Sequence, residues 1–387
     1  MKQTLSIMVL IAGAALSAPA VPALSPAEIG IQKAQEHIAK QPDHAPYYNA
    51  LAMAYARRAR ETSDVAYYAK AEETLQKSFE LAPDNFEGMK VKTWLLLGRH
   101  EFAKALELAA KLNKQVPDDV TVYGYLVDAN AELGNYQAAV DAAQWMLNLR
   151  PGNVPGLTRA AYLRELHGQL SGAIELMQMA YDSTPYQEME DRAWLLTQIA
   201  HIDYVAGDLK QAETYANGAL GLFPNYHYAL AVLAQVRVAQ SRYDDAVGLL
   251  KTRYAEAPHA ENLYSLAEVL AEAGHAEEAA RDFAEFEKLS LKESSLADNS
   301  NHELMAYYSD FDNAPEKALK IAEQELARRH DVYTLDCYAW ALAGTGDYAR
   351  AEAEIQKALA VGVKDPKILH HAQVIEDHSK AVKEAAQ

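Results

Sequence analysis

Prolines recur at Pro83, Pro117, Pro151 and Pro185, each 34 residues after the last, and Pro224 and Pro258 resume the interval after a five-residue slip. A fixed interval of this length points to one supersecondary unit repeated along the chain, not to a mosaic of domains. A second ruler runs beside it: Gly98, Gly134, Gly168, Gly207, Gly274 and Gly346 each follow a helical run. Ala139, Ala173, Ala212, Ala279 and Ala351 lie five residues after five of them, and Ser241 and Asn313 take the glycine place ahead of Ala246 and Ala318. The chemistry of each position explains the pattern. Glycine ends a helix by entering the left-handed region at little steric cost. The alanine is small enough for the next helix to pack closely on the first. Proline closes the unit because it cannot continue a helix. One hairpin of this kind leaves an apolar face bare, and stacking against neighbours buries it.

Leu133-Gly134-Asn135-Tyr136-Gln137-Ala138-Ala139, closing at Pro151, resembles the tetratricopeptide repeat, as do Gly207 to Ala212 closing at Pro224 and Gly346 to Ala351. The resemblance covers about nine units, from about Ala45 to Ala360. It implies an all-α, right-handed superhelical α-solenoid of about nine hairpins plus a C-terminal capping helix, whose first helices line a concave groove. The chain then divides into a cleavable signal peptide (1–23), a lead-in helix (24–44), the repeat array (45–360) and the capping segment (361–387). Three stretches depart from the period: Arg60 to Asp64, the slip from Tyr186 to Asp191, and the Ser/Asn/Lys/Glu-rich run from Phe286 to Asn301. They read as loops within one array.

Residues 1–23 carry Lys2, a mostly apolar run from Leu5 to Leu16, and two small-x-small sites ending at Ala20 and Ala23. That is the grammar of an export leader, and the run is too short to span a bilayer. The expected protein is therefore periplasmic or secreted, with no stable membrane span after cleavage. The net charge of −18 opposes nucleic-acid binding, which needs lysine and arginine on phosphates. Cys337 is the single cysteine, so no internal disulfide can form.

The search for chemistry is empty. Gly344-Thr345-Gly346-Asp347-Tyr348-Ala349 matches a dinucleotide pattern, but that pattern requires a preceding strand and here it follows a helical run. His371 and His378 are two helical turns apart, too far to share one metal ion without other ligands, and with His370 they read as exposed helix histidines. Arg57-Arg58-Ala59-Arg60 reads as a solvated helix end, with an acidic partner or lipid headgroups as the other reading. No catalytic residue, metal site or cofactor is assigned, and the chain is not expected to be an enzyme.

The groove can be read by counting back three, six, ten and thirteen residues from each turn, spacings that share one helical face. The candidates so obtained are Tyr162, Trp194, His201, Tyr204, Tyr228, Tyr264, Glu268, Glu303, Tyr307, Asp336 and Trp340. No counted position is lysine or arginine. This departs from the basic clamp with which some tetratricopeptide domains hold an acidic peptide terminus. The expected partner is a protein or peptide that is basic, apolar or both, held by a non-catalytic scaffold. The same aromatics also fit two other readings: a soluble carrier of a small molecule or glycan, and side chains that pack against neighbouring helices.

Overall fold

The structure, a computed structural model, describes residues 24–385 apart from 63, 65 and 297, so the expected leader lies outside the described residues. Among the described residues there are twenty helices and no strand. Helix α1 (Pro26–Lys40) leads into a series of hairpins. The first four are α2–α3 (Ala45–Thr62, Ala66–Leu81), α4–α5 (Phe86–Gly98, Phe102–Gln115), α6–α7 (Val120–Glu132, Tyr136–Leu149) and α8–α9 (Val154–Leu166, Leu170–Ser183). Next come α10–α11 (Met189–Val205, Leu209–Leu222), α12–α13 (His227–Ala239, Tyr243–Glu256) and α14–α15 (Ala260–Glu272, Ala276–Glu293). The last two are α16–α17 (Asn301–Asp310, Pro315–Leu326) and α18–α19 (Val332–Gly344, Tyr348–Val361), followed by α20 (Pro366–Ala385). No helix among the described residues is long and apolar enough to cross a membrane.

The turn chemistry is local and recurrent. Gly134, Gly168, Gly207, Gly274 and Gly346 have φ between 70° and 86°, and Ser241 and Asn313 take the same left-handed conformation at 59° and 48°. Gly98 departs from the expected ruler. It is still helical, and the left-handed residue of that turn is His100 (φ 56°), with the buried Ala105 five residues on. Gly98 answers a packing need instead, since a Cβ there would come within 2.8 Å of the Tyr68 hydroxyl oxygen. Ala139, Ala173, Ala212, Ala246, Ala318 and Ala351 have no exposed surface, which is what close helix approach requires. Two residues after Pro83, Pro117 and Pro151 stand Asn85, Asp119 and Asn153, whose side chains accept the backbone N–H of Gly88, Val122 and Gly156. Each proline thus ends one helix just before an N-cap worth about 1 kcal/mol starts the next.

The solenoid also touches itself across its turns. Arg57 and Arg60 on α2 pair with Glu188, Glu190 and Asp191 at the entrance to α10, and His227 Nε2 lies 3.1 Å from the Arg60 carbonyl oxygen. The arginine run read as a solvated helix end is therefore an internal docking element. Its partners are supplied by the five-residue slip. In the next pair of contacts, the α4–α5 turn places His100 3.8 Å from Asp298 in the irregular run before α16, and Phe102 lies under the Arg329 guanidinium. The α6–α7 turn meets the loop before α18: Arg329 pairs with Glu132, and the Val332 N–H donates to Tyr136 Oη at 2.9 Å. Finally the α8–α9 turn packs on the α19–α20 turn, where Gly168 faces the backbone of Gly362. One apolar core accordingly runs from Val127, Leu163 and Leu166 to Leu342, Ile355 and Ile375.

Candidate functional site

The inner face of the second half of the array encloses a cavity of about 550 Å³ between α10, α12, α14, α16, α18 and α20. Six of the eleven expected groove residues line it: Tyr204, Tyr264, Glu268, Glu303, Asp336 and Trp340. The first-helix face explains why. α14 presents Tyr264, Ser265, Glu268 and Glu272 in successive turns, and α18 presents Tyr333, Asp336, Cys337 and Trp340.

The other five lie outside the cavity. His201 pairs with Glu165 at 3.0 Å, Tyr307 stacks on Phe283 at 5.1 Å, and Tyr228 sits against His227 at 3.9 Å. Trp194 packs on the core around Leu195 and Ile199, and Tyr162 on the core that includes Val332. Each of the five is engaged by neighbouring side chains instead.

Counting back along first helices misses several wall residues. Arg253 comes from α13, and Lys367 and His371 from α20. The inner face therefore holds two permanent cations that the first helices do not supply. His371, read as exposed, is buried: its Nδ1 lies 3.0 Å from both carboxylate oxygens of Asp336, and its ring stacks on Trp340 at 4.2 Å, 7° from parallel. Trp340 donates its indole N–H to Asp310 at 2.7 Å. The i, i+4 pair Asp336–Trp340 thus clamps one imidazole, and α20 is seated by it. The helical period of 366–381 could have indicated an inward face, since Ile368, His371 and Ile375 share it, but not what that face would meet.

Charges in the wall are unevenly paired. Tyr264 donates to Glu268 at 3.0 Å, and Lys367 lies 3.8 Å from the same carboxylate. Burial raises the Tyr264 hydroxyl well above its ordinary range, with Glu268 adding to it. Burial, reinforced by Glu261, pushes the Glu303 carboxyl up to about 7. Burial works in the opposite direction on Arg253, lowering it because Glu261 and Glu303 compensate only in part. Cys337 stands half-buried in the wall, and burial pushes its thiol well up, away from the reactive thiolate. No group of three or more potential metal ligands clusters among the described residues.

Three histidines near this region are held neutral. Burial, then Arg329, lowers His302 to about 4; burial lowers His227 and His100 to about 4 as well. A depressed histidine favours the unfolded state as pH falls, because the unfolded chain takes up the proton first. Their stabilising contribution is present above about 6.5 and lost as pH drops toward 4. Proton NMR titration of the folded protein is expected to give midpoints near 4 for His302 and His227; midpoints of 6 to 7 would contradict their burial.

The tetratricopeptide repeat family model matches residues 94–154 and 232–290, which span α4–α7 and α12–α15. The comparison with curated proteins returned no match. Among solved structures, the APC/C hetero-tetramer Cut9–Hcn1 is similar at 12% identity and TM-score 0.50, over 89% of this chain. This chain spans 59% of that one. The human IFIT1 dimer with PPP-AAAA is similar at 12% identity and TM-score 0.51, over 88% of this chain and 95% of that one. At such identity the likeness concerns the fold alone, and it agrees with the hairpins, turns and buried alanines described above. The chain thus carries tetratricopeptide repeats in the two matched regions, within an all-α solenoid.

Proposed function

We propose that this chain is a non-catalytic scaffold, exported to the cell envelope or beyond, that holds a segment of a protein partner in the cavity of its inner face. The observation that carries the reading is the cavity wall: Glu268, Glu272, Glu303, Asp336 and Asp365 stand against Arg253 and Lys367, with Tyr204, Tyr264, Tyr333 and Trp340 between them. Aromatic side chains supply rigid contact area, and the excess of carboxylates selects a basic or apolar segment over an acidic one. The oligonucleotide-like ligand of human IFIT1 is not carried over, because a wall rich in carboxylates and a net charge of −18 oppose phosphate. A second reading, a carrier of a small molecule, is favoured by the cavity volume, which falls within the ~300–1,000 Å³ of small-ligand sites.

Photo-crosslinking from Tyr204 in cells that make the full chain separates the two. A protein adduct is expected, with the mature chain starting after Ala20 or Ala23. Retention of Met1 in the crosslinked form would refute cleavage of the leader. A small molecule in native mass spectra, with no protein adduct, would move the assignment to the carrier.

A further inference from the structure

Two oppositely charged side chains in the cavity wall lack full partners. Arg253 is 8% exposed, yet its Nε–H has no acceptor. Its remaining contacts are one hydrogen bond to Ser265 Oγ at 3.1 Å and a long approach of 3.8 Å to Glu261. A buried guanidinium with five donors and one good acceptor is under-satisfied, which is costly in a low-dielectric wall. Glu303, one helix away on α16, makes no hydrogen bond or ion pair with another residue's side chain among the described residues, while Asp336 and Glu268 in the same wall are engaged. The two do not approach each other closely enough to pair. The Nε atom itself is sealed from the cavity, so what the site offers one occupant is the Nη edge of Arg253, held by a single hydrogen bond, and the unpaired carboxylate of Glu303.

We infer that the cavity reads a single basic residue of a peptide, its side-chain cation seated against Glu303 and an adjacent carbonyl oxygen accepting from Arg253. This rests on the reading of the cavity as a partner-binding site. The chemistry follows from the wall. A cation offsets the surplus of carboxylates, a carbonyl gives the Arg253 Nη edge a further acceptor without importing a full negative charge, and Trp340 and the tyrosines receive the aliphatic stem of the side chain. An acidic residue would satisfy Arg253 but face Glu303 and Glu268. A purely apolar residue would still lend its carbonyl to Arg253 but would leave Glu303 without a cation.

Calorimetric titration of the full chain tests this with capped Ala-Lys-Ala, capped Ala-norleucine-Ala and free lysine. The lysine peptide is expected to bind about tenfold tighter than its norleucine counterpart, the worth of one charge-assisted contact. Glu303→Gln, close to isosteric, is expected to abolish that difference, whereas the exposed Glu316→Gln leaves it in place. Should Glu303→Gln fail to fold by circular dichroism, Glu303→Asp serves, and it should retain the preference for lysine at weaker affinity. Free lysine binding as tightly as the peptide would assign the same chemistry to a small molecule and overturn the peptide. Equal binding of lysine and norleucine peptides overturns the inference and leaves the scaffold standing if crosslinking still captures a protein. No binding by any of the three overturns it outright.

Discussion

Arg60→Ala is expected to destabilise the folded chain by about 3–5 kcal/mol, the range for stranding one member of a buried ion pair. Glu190 is the group stranded. It has no exposed surface, and its carboxylate receives Arg60 on one side and the Tyr226 hydroxyl on the other, with Arg57 reaching it only at 3.9 Å. Burial already pushes the Glu190 carboxyl above its ordinary range, so loss of Arg60 leaves it with only the long Arg57 contact unless it protonates or is solvated, and solvation means parting α2 from α10. Chemical denaturation should show the loss, and small-angle scattering should show an expanded particle. Arg60→Ala combined with Glu190→Gln should cost clearly less than Arg60→Ala and Glu190→Gln added together, because the two residues share one interaction. Additive losses and an unchanged radius would refute the docking role.

Gly168→Ala is expected to be the most damaging of the turn-glycine substitutions. Alanine in the left-handed region costs about 1–2 kcal/mol at any of these turns. At Gly207, Gly274 and Gly346 nothing lies near a new Cβ, so that strain is the whole effect. At Gly168 the Cβ would fall well inside contact distance of the Gly362 carbonyl oxygen, and backbone cannot rotate aside as a side chain can. Gly134 is intermediate in kind, with the His330 carbonyl oxygen 2.7 Å from the added atom. Thermal unfolding of Gly168→Ala against Gly207→Ala should show the first losing at least twice as much stability as the second. Equal losses would mean that the α8–α9 turn does not meet the α19–α20 turn in solution.

The fold was legible because its rules are local. A left-handed turn residue, an alanine five positions on and a closing proline can be read without knowing what any helix will touch. Gly98 misled for the same reason: its smallness answers Tyr68, a neighbour in space, and His100 took the turn. The site was half legible. Counting back finds the inner face of a helix, and so it found Tyr264, Glu268, Glu303, Asp336 and Trp340. It cannot tell that neighbouring side chains will engage His201 and Tyr228, nor that α13 and α20 will send Arg253 and Lys367 inward. The most informative residues were the departures from the repeat. The arginine run at 57–60 and the slip at 186–191 looked like separate irregularities, and they are the two halves of one interface. An interruption in a periodic sequence is where the chain must answer something other than its nearest neighbour.

That self-contact changes how such a chain can be made and cut. An open repeat array folds from any point, and units can be removed from its ends with little consequence elsewhere. Here Glu132 awaits Arg329, 197 residues downstream, and the Gly168 turn awaits Gly362. During synthesis the N-terminal units present unfinished surface until the last two helices emerge, so the final steps of folding are long-range and slow relative to hairpin formation. A truncation before α18 would bare the third and fourth units as well as the cut end, which removes the modularity that repeat proteins ordinarily have.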